Sequence, residues 1–293
     1  MKKMFAVLAR GWRILRGSNA PGRFIKRSYA NSAGTRAYKV YLPAGYSGQA
    51  LPVVVMLHGC KQTPDEFALA TGMNRLADER GFLVVYPAQP WTANYSKCWN
   101  WFRPRDQQRD AGEPSLIAGI TRQVLERYKA DRRRVYVAGL SAGGAMAAIM
   151  ATTYPDLYAA AGIHSGLPYA SARDAASAIS AMRGLRAPGA GLPSVPTIVF
   201  HGDRDGTVHH REGDYGSASA KPRTETGQAG GRPYTRTLFG NGKSWVEHWL
   251  VHGAGHAWCG GNPAADYADA KGPDATREMV RFFLESPAPT QIT

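Results

Sequence analysis

Long apolar runs are missing from this 293-residue sequence. The two strongest candidates, "FAVLA" near the start and "LPVVVML" from residue 51, are interrupted by Arg10 and by His58 with Gly59. Neither reaches the ~18 apolar residues of a membrane-spanning helix or the apolar centre of about 7 to 15 residues in a secretory signal. We therefore expect no transmembrane segment and a cytoplasmic protein, with secretion less favoured. The basic start of "MKKMFAVLARG" leaves a short export signal as the alternative.

Acidic residues are absent from the first 64 positions. Eleven lysines and arginines precede the first carboxylate, Asp65, in a chain whose net charge is +14. Within residues 1–17, apolar residues recur at helical spacing among basic ones; they are Met4, Phe5, Leu8, Trp12 and Leu15. This pattern is typical of a helix on an amphipathic or anionic surface. A frayed or docked terminus is an equal alternative, because Gly11 weakens the helix by about 1 kcal/mol.

Linkers, internal repeats and nucleic-acid reader motifs are also missing. We predict a basic amphipathic segment over residues 1–27, a single catalytic domain over 28–286 and a flexible tail over 287–293. The basic residues are not interleaved with a stacking platform, so we expect no nucleic-acid partner.

Metal-binding motifs do not occur. The chain has eight histidines, yet it contains neither HExxH nor CxxC, and the cluster of His201, His209 and His210 lacks a second set of ligands at recognised spacing. We expect no metal and no cofactor.

Short apolar segments alternate with helical patterns over most of the chain. Six segments have the character of buried strands, with "LPVVVMLHG" and "RRVYVAGLS" among them, and helical patterns such as "EPSLIAGITRQVLERYKA" lie between. The alternation predicts an α/β fold with a mostly parallel central sheet flanked by helices. Residues 211–234 and 186–196 are rich in Gly, Pro and small polar residues, and we predict loops there.

A serine lies at one of the predicted strand-to-helix turns. In "VYVAGLSAGGAM", residues 135–146, Ser141 has Gly139 and Gly143 on either side, which is the G-x-S-x-G pattern. Such glycines allow a tight turn that exposes the hydroxyl at the edge of a sheet. A serine becomes a nucleophile when a nearby base takes its proton. Ser141 is therefore the candidate nucleophile.

Acid and base candidates follow later strands in the expected order. "TIVFHGDRDGTV" supplies Asp203 and Asp205, and "WLVHGAGHAW" supplies His252 and His256. We prefer Asp205 and His256, because Asp203 could equally cap a turn and His252 lies nearer its strand, where a structural role is common. The backbone N–H groups of Ala142 and of Cys60, in "LHGCKQ", are the expected oxyanion donors.

The chain resembles the polyhydroxybutyrate (PHB) depolymerase family of esterases, in the branch that includes feruloyl and acetylxylan esterases. The resemblance rests on five ordered motifs between about residues 36 and 285: "LHGCKQ", "CWNWF", "GLSAGGAM", "HGDRDGTVH" and "GAGHAWCGG". It implies the α/β-hydrolase fold and a triad of Ser141, Asp205 and His256. It also implies hydrolysis of polyhydroxybutyrate or its oligomers, with feruloyl, acetyl or other small esters as the alternative. A binding protein with lost activity is a third possibility, which the intact triad disfavours.

The resemblance carries further expectations. Cys60 and Cys98 lie in two family motifs that should meet at one rim of the sheet, so a disulfide between them is plausible even though a cytoplasmic compartment favours free thiols. Trp258, Trp99 and Trp101 are candidates to line the cleft for an uncharged substrate. Residues 1–17 could lie on a polyhydroxyalkanoate storage granule.

Overall fold

The computed structural model describes residues 21–185, 193–213, 222–241 and 244–286. The amphipathic pattern of residues 1–17 and the predicted tail, 287–293, lie outside these residues. None of the helices in the described ranges is both long and apolar enough to cross a membrane.

A ten-stranded sheet forms the centre of the molecule. Its strands lie in the order β1-β2-β4-β3-β5-β6-β7-β10-β9-β8. Their bounds are β1 (Arg23–Asn31), β2 (Gly34–Leu42), β3 (Val53–Leu57), β4 (Leu83–Pro87), β5 (Val135–Leu140), β6 (Ala160–His164), β7 (Thr197–Gly202), β8 (Arg223–Ala229), β9 (Arg232–Asn241) and β10 (Ser244–Val251). The strands from β4 to β10 in this order are parallel, and an antiparallel hairpin extends each side. A two-stranded sheet pairs β11 (Trp258–Cys259) with β12 (Ala268–Asp269).

Helices cover both faces of the sheet. They are α1 (Pro64–Thr71), α2 (Met73–Arg80), α3 (Gly112–Arg127), α4 (Ala142–Thr153), α5 (Ala175–Met182) and α6 (Ala275–Glu285). Successive residues of β3 point to opposite faces. Val53 and Val55 pack with apolar residues of α3 and α4, whereas Val54 and Met56 pack with α1, α2 and α6. The continuous apolar strands are therefore buried on both faces, as their sequences indicate.

Three boundaries differ from the sequence prediction. Strand β1 begins at Arg23, inside the segment 1–27 that we separated from the domain. Strand β8 lies within residues 211–234, which we predicted as a loop. The segment "DEFALATGMNRLADER", residues 65–80, has one continuous helical pattern in the sequence. The structure divides it into two helices, because Gly72 adopts a left-handed conformation with φ 63°.

Candidate active site

Ser141 occupies a strained turn between β5 and α4. Its backbone has φ 58° and ψ −121°, a region that residues with a side chain seldom adopt. The turn is fixed on both sides, because Ser141 N–H donates to the His164 carbonyl and Ala145 N–H donates to the Ser141 carbonyl, each at 2.9 Å. Ser141 stays partly exposed at the carboxyl edge of the parallel strands, where ligands bind in open α/β sheets.

The two flanking glycines are required by close backbone approach. A Cβ on Gly143 would lie 2.0 Å from the Leu57 carbonyl oxygen, and one on Gly139 would lie 2.3 Å from the Gly143 carbonyl. Real Cβ atoms do not come this close to backbone, so the end of β3 and the start of α4 could not pack as they do with any other residue. The same packing brings the loop after β3 beside Ser141.

Asp205 and His256 form a hydrogen-bonded pair at the same edge. Asp205 follows β7, His256 follows β10, and His256 Nδ1 lies 2.8 Å from Asp205 Oδ2. The other oxygen of Asp205 accepts from the backbone N–H groups of Thr207 and Val208, each at 2.9 Å. The carboxylate is completely shielded from solvent, which would raise its pKa, but the bonds from His256 and Val208 hold that pKa at about 2. Asp205 is therefore ionised at neutral pH and keeps the imidazole proton on Nδ1.

A second aspartate and histidine pair lies beside the first. His252 Nδ1 is 2.9 Å from Asp203 Oδ2, and His252 Nε2 is 2.9 Å from Thr235 Oγ1. Asp203 Oδ1 also accepts from Gly253 N–H at 2.7 Å. Both ring nitrogens of His252 are occupied, and Asp203 joins the ends of β7 and β10. This arrangement favours His256 over His252 as the base.

The loop after β3 places a backbone peptide beside Ser141. Within the described residues, neither Cys60 N–H nor Ala142 N–H donates to a protein acceptor. Ala142 is the first residue of α4, where N–H groups have no partner within the helix. A Cβ on Gly59 would lie 3.7 Å from Ser141 Cβ, so the Gly59–Cys60 peptide lies next to the serine. The two N–H groups can therefore face a carbonyl oxygen attacked by Ser141.

Buried His58 fixes the direction of that peptide. His58 Nε2 accepts from Gln89 N–H at 3.0 Å, so the proton lies on Nδ1, which donates to the Gly59 carbonyl at 2.8 Å. Burial lowers the pKa of His58 to about 4, and the ring is neutral at pH 7. Because no cis peptide bond occurs in the described residues, the Gly59 carbonyl and the Cys60 N–H point in opposite directions. His58 was not among the predicted site residues, although its place beside Gly59 in "LHGCKQ" could have indicated it.

His164 connects the serine turn to the histidine loop. Its carbonyl accepts from Ser141 N–H, as described above, and its Nε2 accepts from Cys259 N–H at 3.0 Å. Burial lowers the pKa of His164 to about 3, so it remains a neutral structural group. His201, which we did not expect to bind a metal, is buried behind Asp205. Its Nε2 donates to the Val208 carbonyl at 2.8 Å.

Comparison with known proteins identifies the family of this site. The family model described as esterase PHB depolymerase matches residues 36–222. The chain belongs to this family. It is 32% identical over 254 residues to poly(3-hydroxyalkanoate) depolymerase C of Paucimonas lemoignei, covering 78% of this chain and 60% of that one. It is 39% identical over 127 residues to feruloyl esterase B of Neurospora crassa, covering 43% of this chain and 42% of that one. The chain therefore spans less than two thirds of either relative.

A solved structure has the same fold. Acetyl xylan esterase from Aspergillus awamori superimposes with a TM-score of 0.69 over 91% of this chain and 99% of the other, at 21% identity. With the sheet order described above, this likeness confirms the predicted α/β-hydrolase fold. The predicted branch, shared by PHB depolymerases and feruloyl and acetylxylan esterases, is confirmed by the family model and the relatives.

The structure of this PHB depolymerase family member contains the expected disulfide. Cys60 and Cys98 are bonded, which ties the loop after β3 to the loop after β4. Cys259 is buried and free, and burial raises the pKa of its thiol to about 12. It is not a candidate nucleophile, because the reactive form of cysteine is the thiolate.

The tryptophan predictions are wrong for two of the three residues. Trp99 and Trp258 are 0% exposed, and their indole N–H groups donate to the His58 carbonyl and to Thr276 Oγ1. Side chains so enclosed support the loops from beneath and do not line a cleft. Trp101 keeps a small exposed fraction, and its role stays a prediction.

Two aromatic residues that we did not predict are exposed instead. Trp91 is 67% exposed and Tyr95 is 92% exposed, and both lie in the loop that Cys98 ties to Cys60. Lys61 N–H also donates to the Ser96 carbonyl at 2.7 Å, so this loop borders the expected oxyanion donors. Sequence gives no signal that separates exposed from buried aromatic residues in such loops.

Proposed function

We propose that this chain is a serine esterase that hydrolyses its substrate through an acyl-enzyme on Ser141. The observation that carries the proposal is the buried, ionised Asp205 bonded to His256 Nδ1 at the edge where Ser141 stands. This bond leaves His256 Nε2 with a lone pair that can take the serine proton. The membership in an esterase family gives independent support.

In the first half of the proposed reaction, His256 Nε2 takes the proton of Ser141 Oγ as the oxygen attacks the ester carbonyl. The carbonyl oxygen becomes an oxyanion, which Cys60 N–H and Ala142 N–H stabilise. Asp205 stabilises the imidazolium that forms. The bond to the alcohol oxygen breaks, and His256 gives its proton to the departing alcohol.

In the second half, water replaces the alcohol. His256 takes a proton from the water while its oxygen attacks the acyl carbon, and the same two N–H groups hold the new oxyanion. The bond to Ser141 Oγ breaks, the serine recovers its proton from His256, and the carboxylic acid leaves. No metal or cofactor is needed for either half.

For the substrate, we propose polyhydroxybutyrate or 3-hydroxybutyrate oligomers. The relative from Paucimonas lemoignei is named as a poly(3-hydroxyalkanoate) depolymerase, and its match covers more of this chain than that of the feruloyl esterase. Exposed Trp91 and Tyr95 suit an uncharged ester chain with methyl groups. Feruloyl, acetyl and other small esters are the alternative, because relatives with those names match 43% and 47% of this chain.

The test is release of 3-hydroxybutyrate from amorphous polyhydroxybutyrate granules and from its oligomers, beside a feruloyl ester and a short p-nitrophenyl ester. The Ser141→Ala variant should lose hydrolysis of every ester while keeping its fold, because the nucleophile is gone. Hydrolysis that survives in this variant contradicts the mechanism. Cleavage of the small esters alone keeps the mechanism and replaces the substrate.

The disulfide gives information about the compartment in which the protein resides. Disulfides persist in oxidising compartments and are uncommon in the cytoplasm, so the Cys60–Cys98 bond favours an oxidising compartment over the cytoplasmic location expected from the sequence.

We also propose that residues 1–17 bind an apolar polyester surface through their alternating apolar and basic residues. Deletion of residues 1–17 should lower the fraction of protein that sediments with polyhydroxybutyrate granules, with kcat on a soluble ester unchanged. Equal sedimentation of the two proteins contradicts this role.

A further inference from the structure

A buried carboxylate lies behind the loop that carries the oxyanion donor Cys60. Glu113, in the first turn of α3, is 3% exposed. It accepts hydrogen bonds from Asn100 N–H at 2.7 Å, from Asn100 Nδ2 at 2.6 Å and from Gln89 Nε2 at 2.5 Å. The guanidinium of Arg36 lies 3.6 Å away. Glu113 therefore holds residues from two separate parts of the loop after β4.

One chain of hydrogen bonds runs from Glu113 to the Gly59–Cys60 peptide. Gln89 Nε2 bonds Glu113 and also the Cys98 carbonyl, at 2.9 Å. Gln89 N–H donates to His58 Nε2, and His58 Nδ1 donates to the Gly59 carbonyl. Because that carbonyl is held from one side, the Cys60 N–H is directed to the opposite side of a peptide that lies next to Ser141.

A second chain reaches the same loop through asparagines. Asn100 Oδ1 accepts from Asn94 Nδ2 at 3.0 Å. Asn94 Oδ1 accepts from the N–H groups of Ser96, at 2.9 Å, and of Cys98, at 3.3 Å. The Ser96 carbonyl accepts from Lys61 N–H. Both sides of Cys60, its disulfide and its neighbour Lys61, are thus connected to Glu113.

We propose that Glu113 is a positioning residue that sets the direction of the Cys60 N–H and thereby the rate of ester hydrolysis, without touching the substrate. This inference rests on the proposed esterase function. Burying a carboxylate costs desolvation free energy, and a well-packed apolar residue in its place often stabilises a core equally well. Its value here is that one acidic group accepts three donors that hold the loop in one arrangement.

The experiment compares Glu113→Gln with Glu247→Gln. Glu247 is also fully buried and ion-paired, with Arg236 and Arg281, but it lies on β10 within the sheet and has no connection to Cys60. A glutamine at 113 would place an amide N–H group against donors of Asn100 or Gln89. We expect kcat on a soluble ester to fall about 10- to 100-fold with KM nearly unchanged, less than the loss of a whole oxyanion donor. Glu247→Gln should lower the melting temperature and leave kcat unchanged.

Two further readouts separate positioning from stability. A trifluoromethyl ketone, whose hemiketal oxygen would occupy the oxyanion site, should bind Glu113→Gln more weakly by the same factor as the loss in kcat/KM. Selective ¹⁵N labelling of the three cysteines gives a direct signal that does not depend on activity. The Cys60 amide resonance should shift in Glu113→Gln and stay in place in Glu247→Gln.

A second variant tests the same proposal if Glu113→Gln does not fold. Gln89→Met removes the side-chain bonds to Glu113 and Cys98 and keeps the Gln89 N–H that bonds His58, so a smaller change in the same direction is expected. Unchanged kcat, inhibitor affinity and Cys60 resonance in a folded variant overturn the proposal. An inactive wild-type protein would instead contradict the proposed function, and the Cys60 resonance would still decide the role of Glu113.

Discussion

At the scale of single residues, two aspartate and histidine pairs of identical chemistry differ in their surroundings. Asp205 is shielded from solvent and receives two backbone N–H bonds besides that of His256. Asp203 is 30% exposed in its side chain and joins the ends of two strands. Burial strengthens the electrostatic effect of a charge on its neighbour. Only the Asp205 pair is therefore suited to stabilise an imidazolium during a reaction.

Replacing each aspartate by asparagine tests this distinction. Asp205→Asn should lower kcat about 10³- to 10⁴-fold, because the amide no longer fixes the histidine proton on Nδ1 or balances its positive charge. Asp203→Asn should keep kcat within about twofold and lower the free energy of unfolding by about 1 kcal/mol. Steady-state kinetics and urea unfolding of both variants measure these effects. Equal losses of kcat in the two variants contradict the assignment.

The sequence indicated the residues whose chemical type and order along the chain both fit a catalytic triad. Ser141, Asp205 and His256 stand in motifs after strands, and the structure brings Asp205 and His256 into contact. The burial of Trp99 and Trp258 could not be predicted, because it depends on how loops distant in sequence cover them. The role of Glu113 could not be read from the sequence, because an acidic residue in the first turn of a helix is common for reasons of helix stability alone. Its partners, Gln89 and Asn100, belong to a loop without any helical or strand pattern.

At the scale of elements, the disulfide joins two loops that leave neighbouring parallel strands. Cys60 and Cys98 are 38 positions apart. In the chain-entropy model, a crosslink of that span lowers the entropy of the unfolded chain and thereby adds about 3 to 4 kcal/mol to the free energy of unfolding. The bond also limits the movement of the loop that carries the Cys60 N–H. The disulfide is therefore expected to affect both stability and activity.

The double variant Cys60→Ser, Cys98→Ser separates these contributions. It should unfold at a lower denaturant concentration and show a lower kcat with KM little changed, since the N–H donor remains but is held less firmly. Treatment of the wild-type protein with a reductant should have the same effects. The double variant, which lacks the bond, serves as the control and should not respond to the reductant. Wild-type kcat in a fully reduced, folded protein contradicts this view of the loop.

Strands were predicted where burial dictates their composition. The segments of β3, β5, β6 and β7 are continuous apolar runs because helices cover both of their faces. Strands β1 and β8 were missed, since an outer strand with exposed side chains needs no apolar run. Their sequences, "RFIKRSYAN" and "RTETGQA", show that pairing with a neighbour is enough to hold them in the sheet.

At the scale of the whole molecule, exposed apolar residues lie in two segments that are hydrogen-bonded to loops of the candidate site. Trp91 and Tyr95 belong to the loop beside the proposed oxyanion donors. Ile179 lies in α5 and Leu185 lies just after it, and both are exposed. His209, in the loop that follows β7 and carries Asp205, donates its N–H to the Met182 carbonyl at the end of α5, at 2.8 Å. Under the proposed function, these side chains are the exposed apolar groups available to contact an insoluble polyester.

The variant Trp91→Ala, Tyr95→Ala tests whether this surface meets a polymer. Release of 3-hydroxybutyrate from polyhydroxybutyrate granules should fall about tenfold, because each aromatic ring that no longer packs against the ester chain removes about 1 kcal/mol of binding free energy. Turnover of a short p-nitrophenyl ester should stay within twofold, and this activity is the internal control for folding. Parallel losses on both substrates would place the two residues in the catalytic site itself.

Both outermost strands of the sheet, within the described residues, carry charged side chains in their first halves. Strand β1 contains Arg23, Lys26 and Arg27, and the exposed β8 contains Arg223 and Glu225. An outer strand offers unpaired N–H and C=O groups to any other extended chain, and charged side chains make that association unfavourable. The two open edges of the ten-stranded sheet are therefore poor templates for the sheet of a neighbouring copy to join edge to edge.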